Sequence, residues 1–145
     1  MLPLLQLVAT LCTALFAGAA VYINLVEHPA RVSCGTAAAL AEWAPSYRRA
    51  TLMQAPLALI AFLTSSAAWA MGGGSAWLIA GLLIGAVVPF TLLVIKPTND
   101  KLLATPRDGA EPETDRLLAR WARLHAVRSG LSLLALVILL WQLTS

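Results

Sequence analysis

The segment AWLIAGLLIGAVVPFTLLVI, residues 76–95, decides the fold class because it is long, apolar and free of charge. A helix needs about 20 mostly apolar residues to cross the hydrocarbon core of a bilayer, and this segment meets that requirement. Similar segments lie at residues 2–26, 50–71 and 126–143, and in all of them only Arg128 carries a charge. The sequence therefore predicts four transmembrane helices.

These helices predict an all-α fold, an integral membrane four-helix bundle with antiparallel up-down topology. Gly81 and Gly85 lie four residues apart on one face of the third helix, and small residues at this spacing let helices approach closely in lipid. The first segment lacks a preceding basic region and is too long for the apolar region of a signal peptide, so we expect a retained helix. We expect one domain over residues 1–145, with helices at about 2–27, 46–71, 75–96 and 114–143.

The composition argues against an ordinary water-soluble domain. Of the 145 residues, 59% are hydrophobic and only 12% are charged, and the mean hydropathy is +0.78. Soluble domains are typically about one quarter charged. The net charge of +3 does not come from a basic stripe of the kind that binds nucleic acid, because the basic residues cluster at the ends of apolar segments. That pattern indicates a lipid bilayer as the partner and no nucleic acid.

The distribution of basic residues predicts the orientation in the membrane. Residues 72–75, GGGS, form a short uncharged link between the second and third segments, and all 10 Lys and Arg residues lie in or beside the other two connections. Short loops rich in Lys and Arg stay in the cytoplasm. We therefore expect a multi-pass protein of the cell membrane with both long connections cytoplasmic and both termini extracytoplasmic.

Polar residues gather at the predicted cytoplasmic helix ends. Asn24, Glu27 and His28 share one face of the first helix, which is expected to end near His28 because Pro29 disfavours a helical residue before it. The second helix is expected to begin in the segment APSYRRA, residues 44–50, and Pro97 is expected to end the third helix.

The fourth helix carries ionisable residues on its apolar side. His125 and Arg128 continue the helical stripe formed by Leu117, Leu118, Trp121 and Leu124, whereas Arg116, Arg120 and Arg123 fall on the opposite face. An ionisable side chain inside a membrane bundle is costly and is a functional hypothesis by default. All these helix ends lie on one side of the membrane, so we expect one polar pocket formed by Glu27, His28, Tyr47, Arg48, Thr98, Asn99, Trp121, His125 and Arg128.

A structural interpretation of the same residues stays open. Glu27 and Arg128 would then neutralise each other, Tyr47 and Trp121 would be aromatic residues of the membrane interface, and Arg48 would be a topology signal.

Five short motifs resemble those of the anthrone oxygenase-like family of small four-helix membrane proteins. They are EHPA (residues 27–30), W-x3-Y-R (Trp43 to Arg48), PFT (89–91), PTN (97–99) and W-x2-LH-x2-R (Trp121 to Arg128), in that order along nearly the whole chain. Some members of this family are assigned to oxidation of an anthrone to an anthraquinone with dioxygen. The resemblance implies an oxidoreductase with a pocket for a small, flat, apolar aromatic ligand.

Metal-free anthrone oxidation requires a base, groups that stabilise an anion, and an apolar slot. His125 or His28 is the candidate base, with Glu27 beside them, because histidine titrates near neutral pH. Arg128 and Arg48 are the candidates for stabilising the anion. The candidate substrate-binding residues are Trp43, Tyr47, Arg48, Thr98, Asn99 and Trp121.

Other interpretations of the site residues remain open. No resident metal or cofactor is expected, and Cys12 and Cys34 match no zinc spacing. As an alternative, His28 and His125 with Glu27 would suit iron, or the two histidines would ligate a haem. A non-catalytic bundle that binds a quinone, a lipid, haem or a partner protein is a further alternative, and homo-oligomerisation is left open.

Overall fold

Four long helices build the protein, as seen in a computed structural model that describes residues 1–106 and 112–144. They are α1 (Leu2–Ser33), α2 (Thr36–Gly73), α3 (Ser75–Ala104) and α4 (Pro112–Thr144), and each is long and apolar enough to cross a membrane. The described residues contain no strand. The prediction of an all-α four-helix protein is thus confirmed, and the architecture is consistent with a multi-pass membrane protein.

The helices form a ring in which each packs against two neighbours. Helix α1 packs against α2 and α4, and α3 packs against the same two helices from the other side. The core of one half contains Phe16, Trp77, Ile84 and Leu139 among alanines. The core of the other half contains the larger group Trp43, Ile95, Leu102, Leu118 and Trp121. The candidate site lies in this second, more aromatic half.

Two prolines predicted to end helices lie inside them, so that prediction was wrong. Pro29 follows a π-helical turn, Ile23–Glu27, and Pro97 follows another, Thr91–Ile95. Proline offers no N–H and its ring crowds the carbonyl four residues earlier. The π turns rearrange the hydrogen bonds at these points, since the N–H of the residue before each proline bonds the carbonyl five residues earlier. The helices therefore continue to Ser33 and Ala104.

Helix α2 begins at Thr36, well before the segment 44–50 where it was predicted to begin. Residues 36–44 are rich in alanine, the strongest helix former, and Pro45 lies inside the helix with its ring exposed. The extension places Glu42 and Trp43 on the same helix as Tyr47.

Helices α2 and α3 pack closely against each other, as the spacing of Gly81 and Gly85 predicted. A Cβ atom added at Gly81 would lie 2.9 Å from the Ser65 Cβ, and one at Gly85 would lie 2.8 Å from the Phe62 ring. The link between these helices is tight because Gly72 and Gly74 adopt φ angles of 88° and 96°, which glycine reaches without strain.

Candidate functional site

An aromatic cluster from three helices surrounds Trp121 of α4. The Trp121 ring centroid lies 5.2 Å from that of His28 on α1 and 4.8 Å from that of His125. Trp43 of α2 meets Trp121 edge-on at 5.8 Å, and Tyr47 stacks on Trp43 with the rings parallel at 5.1 Å. The structure thus brings together both histidines and three of the predicted aromatic residues.

Asn24 fixes the orientation and the tautomer of His125. The Asn24 amide nitrogen donates to the carbonyl of Ala122 over 3.1 Å, and the hydroxyl of Ser129 donates to Asn24 Oδ1 over 2.6 Å. Asn24 Oδ1 is therefore the acceptor, so His125 Nδ1, 2.7 Å away, must carry the proton and donate to it. In a neutral imidazole this leaves the lone pair on Nε2. The His125 side chain, with only 2% of its surface exposed, is a buried and oriented base.

Arg128 bonds a neutral amide and not a carboxylate. One Nη of Arg128 donates to Gln54 Oε1 over 2.7 Å, and the guanidinium lies 5.4 Å from the centroid of the Phe16 ring. No Asp or Glu of the described ranges forms an ion pair with Arg128. The predicted alternative that Glu27 and Arg128 neutralise each other is therefore wrong.

Glu27 belongs to a different charge network, centred on Arg31. Arg31 contacts Glu27 one helical turn before it, and its Nε lies 2.6 Å from a Glu42 oxygen. The hydroxyl of Ser46 also donates to Glu27, over 2.5 Å. Arg31 is 6% exposed, and its guanidinium lies 6.0 Å from the centroid of Trp121. From the sequence, Arg31 was interpreted only as one of the basic residues that predict the orientation in the membrane. Its spacing of four residues from Glu27 was the signal that marked the pair.

The remaining predicted residues divide into two groups. Thr98 and Asn99 of α3 are buried, and Asn99, 1% exposed, contributes to a cavity at the aromatic cluster. Arg48 is exposed and does not line that cavity. The structure therefore does not bring Arg48 to the other candidate residues, because it lies on the outer face of α2.

The cavity beside the cluster is small and polar. Its volume is about 20 Å³, enough for a water molecule. Within the described residues, three buried side-chain atoms of its lining have neither a hydrogen-bond partner nor an ion-pair partner. They are Asn99 Oδ1, Gln54 Nε2 and Arg128 Nε. Buried polar atoms are rarely left unpaired, so this cavity is suited to a polar ligand group. The cavity is lined by Ile23, Arg31, Ser46, Tyr47, Ala50, Thr51, Gln54, Asn99, Trp121, His125 and Arg128.

The residues proposed for iron do not assemble into a metal-binding group. Within residues 1–106 and 112–144, no set of three His, Cys, Asp or Glu side chains is placed to hold one ion. The Nδ1 atom of His125 and the carboxylate of Glu27 are also engaged by Asn24 and Arg31.

Comparison with known proteins identifies related sequences over most of the chain. A family model described as anthrone oxygenase matches residues 43–138, a range that includes Trp43, Tyr47, Asn99, His125 and Arg128 and leaves all of α1 outside. The protein "Anthrone oxygenase tpcL" of Aspergillus fumigatus (strain ATCC MYA-4609 / CBS 101355 / FGSC A1100 / Af293) is 41% identical over 88 residues. That alignment covers 59% of this chain and 55% of the fungal protein, so it spans about half of the relative's length. No solved structure matches the chain.

Proposed function

Because the chain belongs to the anthrone oxygenase family, we propose that it is an oxidoreductase that uses dioxygen to oxidise a flat aromatic substrate of the anthrone type. The observation that carries this proposal is the oriented imidazole of His125, whose Nε2 is unprotonated and which lines the same cavity as Arg128. A base beside a cation is the pair of groups that proton removal from a weak carbon acid requires.

The reaction needs no metal because an anthrone has an acidic C–H group between two aromatic rings. Loss of that proton gives a carbanion whose charge spreads through the rings onto the ketone oxygen. Electron transfer from the anion to dioxygen and formation of a C–O bond give a peroxide anion, which takes back the proton from the His125 imidazolium to form a hydroperoxide. The hydroperoxide then loses its remaining C–H proton as the O–O bond breaks, which leaves a carbonyl and one water molecule. The balance is one anthrone and one dioxygen to one anthraquinone and one water.

Removal of the first proton and stabilisation of the anion have candidate side chains. His125 Nε2 takes the first proton, and Asn24 stabilises the resulting imidazolium by accepting from Nδ1. The charge of Arg128 favours the anion over the neutral substrate, because electrostatic stabilisation is strongest in an environment from which water is excluded. The Trp121 ring stacks on His125 and holds it in place, and His28 packs against Trp121.

We also propose that this pocket lies on the cytoplasmic side of the cell membrane. The support is the charge distribution: the residues of the site adjoin the two connections that carry the Lys and Arg residues. Both termini would then be extracytoplasmic.

The proposal is tested by turnover of the purified protein in lipid nanodiscs. The assay follows dioxygen consumption and the visible absorbance of the anthraquinone, with protein-free nanodiscs to measure spontaneous oxidation. We expect catalysis by the wild type and its loss in His125→Ala and in Arg128→Leu. Arg120→Ala and Arg123→Ala are the matched controls, because both arginines are exposed on the same helix.

Two results would contradict the proposal. One is a wild-type rate equal to that of protein-free nanodiscs. The other is full activity in His125→Ala. A protein that binds the anthraquinone tightly without turning over an anthrone would instead support the alternative of a non-catalytic bundle that binds quinones.

A further inference from the structure

An apolar slot lies between α2 and α3 next to the polar cavity. It has a volume of about 120 Å³, and its walls include Ala55 and Ala58 of α2 and Val87, Val88 and Leu92 of α3. Ala55, Val88 and Leu92 are exposed, whereas Ala58 and Val87 are buried. The slot therefore runs from the outer surface of the bundle, the side that faces lipid in a membrane, toward the interior.

The slot and the polar cavity share one set of residues at the point where they meet. These residues are Tyr47, Thr51, Gln54 and Arg128. Gln54 is 2% exposed. In the described part of the chain, neither Gln54 Nε2 nor Arg128 Nε has a hydrogen-bond partner. Two unpaired N–H donors thus stand at the inner end of an apolar slot.

The charge at this point is uncompensated. Arg128 has an amide oxygen and an aromatic ring as neighbours, and none of the ion pairs in the described ranges includes it. A cation inside a membrane bundle is costly unless an anion faces it. A ligand oxygen with negative charge would fill this need and would also accept a hydrogen bond from Gln54.

We propose that the slot between α2 and α3 is the substrate site, in which a planar aromatic ring system lies between the helices with a phenolate or enolate oxygen against Arg128 and Gln54. This inference rests on the proposed function and adds the direction of entry, laterally from the membrane. It also makes Gln54 a specificity-determining residue, because its unpaired Nε2 donor favours ring systems that carry an acidic oxygen. A lipid acyl chain would match the apolar walls but brings no anion to this depth.

Binding is measured by quenching of the protein's tryptophan fluorescence in nanodiscs, with 1,8-dihydroxyanthraquinone as the probe. Ala55→Phe and Val88→Phe obstruct the slot from its two walls at exposed positions, where a larger side chain is tolerated. Met53→Phe is the matched control, because Met53 is also exposed on α2 but does not line the slot. We expect the Kd to rise at least about tenfold in both slot variants and to stay unchanged in Met53→Phe.

Gln54→Glu tests the polar end. The carboxylate keeps the shape of the side chain and supplies Arg128 with a counter-ion, so the melting temperature should hold or rise while the probe binds at least about tenfold more weakly. A purely structural Gln54 would leave the Kd of this variant unchanged. Anthracene, which has the ring system without oxygen, should bind the wild type more weakly than the probe and should not respond to Gln54→Glu.

The outcomes separate this inference from the proposed function. Wild-type affinity in Ala55→Phe and Val88→Phe, or weakened binding in Met53→Phe alone, would overturn the slot as the site. No quenching of the wild type by the probe, as expected if a lipid chain occupies the slot, would overturn it as well. Anthrone turnover that survives all the slot variants refutes the slot and keeps the function. Slot-dependent binding without any turnover keeps the slot and refutes the function.

Discussion

Asn24 controls His125 from a different helix, and replacing it separates stability from catalysis. Asn24→Leu removes the amide that links α1 to α4 through Ala122, His125 and Ser129. Hydrogen bonds between helices in a membrane protein contribute about 0.6 kcal/mol each on average. Loss of all three contacts should therefore lower the free energy of unfolding by about 2 kcal/mol, which leaves a folded bundle.

The effect on activity should be larger than the effect on stability. Without the Asn24 acceptor, nothing holds the proton on Nδ1 of His125, so the ring is free to adopt the tautomer in which Nε2 carries the proton and cannot act as a base. A positioned general base contributes about 10²–10⁴ in rate. We expect kcat to fall by up to this factor with a small change in KM. Asn24→Asp keeps an acceptor for Nδ1–H and should retain most of the activity.

The assay is anthrone turnover in nanodiscs beside denaturant or thermal unfolding of each variant. The reasoning is refuted if Asn24→Leu keeps the wild-type kcat, or if Asn24→Asp is as inactive as Asn24→Leu while both remain folded. Ser129→Ala is the control for loss of a hydrogen bond in the same network without loss of the acceptor for His125. It should lower stability slightly and leave kcat nearly unchanged.

Three further predictions concern the scaffold. Arg31→Leu removes the charged partner of Glu27, whose side chain is 25% exposed, and should lower the free energy of unfolding by about 1–3 kcal/mol, with part of the loss recovered in the double variant with Glu27→Gln; equal stability of the single variant and the wild type would contradict the network. Gly81→Leu should lower the free energy of unfolding by about 1–3 kcal/mol because the added Cβ meets Ser65. Gly18→Leu should be tolerated because nothing lies within 4 Å of the added Cβ. Unfolding midpoints measured in detergent compare the two variants. A reporter enzyme that works only outside the cytoplasm should be active when fused to the C-terminus, and activity of only a cytosolic reporter there would reverse the proposed orientation.

The four helices were predictable from the sequence because length and hydropathy alone decide whether a segment can span a membrane. Their ends were less predictable. Pro29 and Pro97 are ordinary signs of a helix end, but each is accommodated by a π turn, a rare element that a proline does not by itself indicate. The consequence for function is direct, because the helix after Pro29 carries Arg31 into the site and the helix after Pro97 carries Asn99 into it.

Within the site, the sequence predicted the inward faces of single helices but not the pairs between helices. The apolar periodicity of α4 placed His125 inside the bundle, where the structure has it, and Asn24 was on the predicted polar face of α1. The pairing of Arg128 with Gln54, and of Glu27 with Arg31, depends on how the helices are rotated about their axes. Periodicity within one helix does not contain that information, which is why Arg128 was matched with Glu27.

The most direct test of the central claim is oxidation of an anthrone under ¹⁸O₂ by the wild type and by His125→Ala in nanodiscs, with mass spectrometry of the anthraquinone over time. We expect one labelled oxygen per product molecule, one dioxygen consumed per product, and a wild-type rate about 10²–10⁴ times that of His125→Ala. Labelled product that forms no faster with the wild type than with His125→Ala, or a new carbonyl oxygen that comes from water, would contradict it.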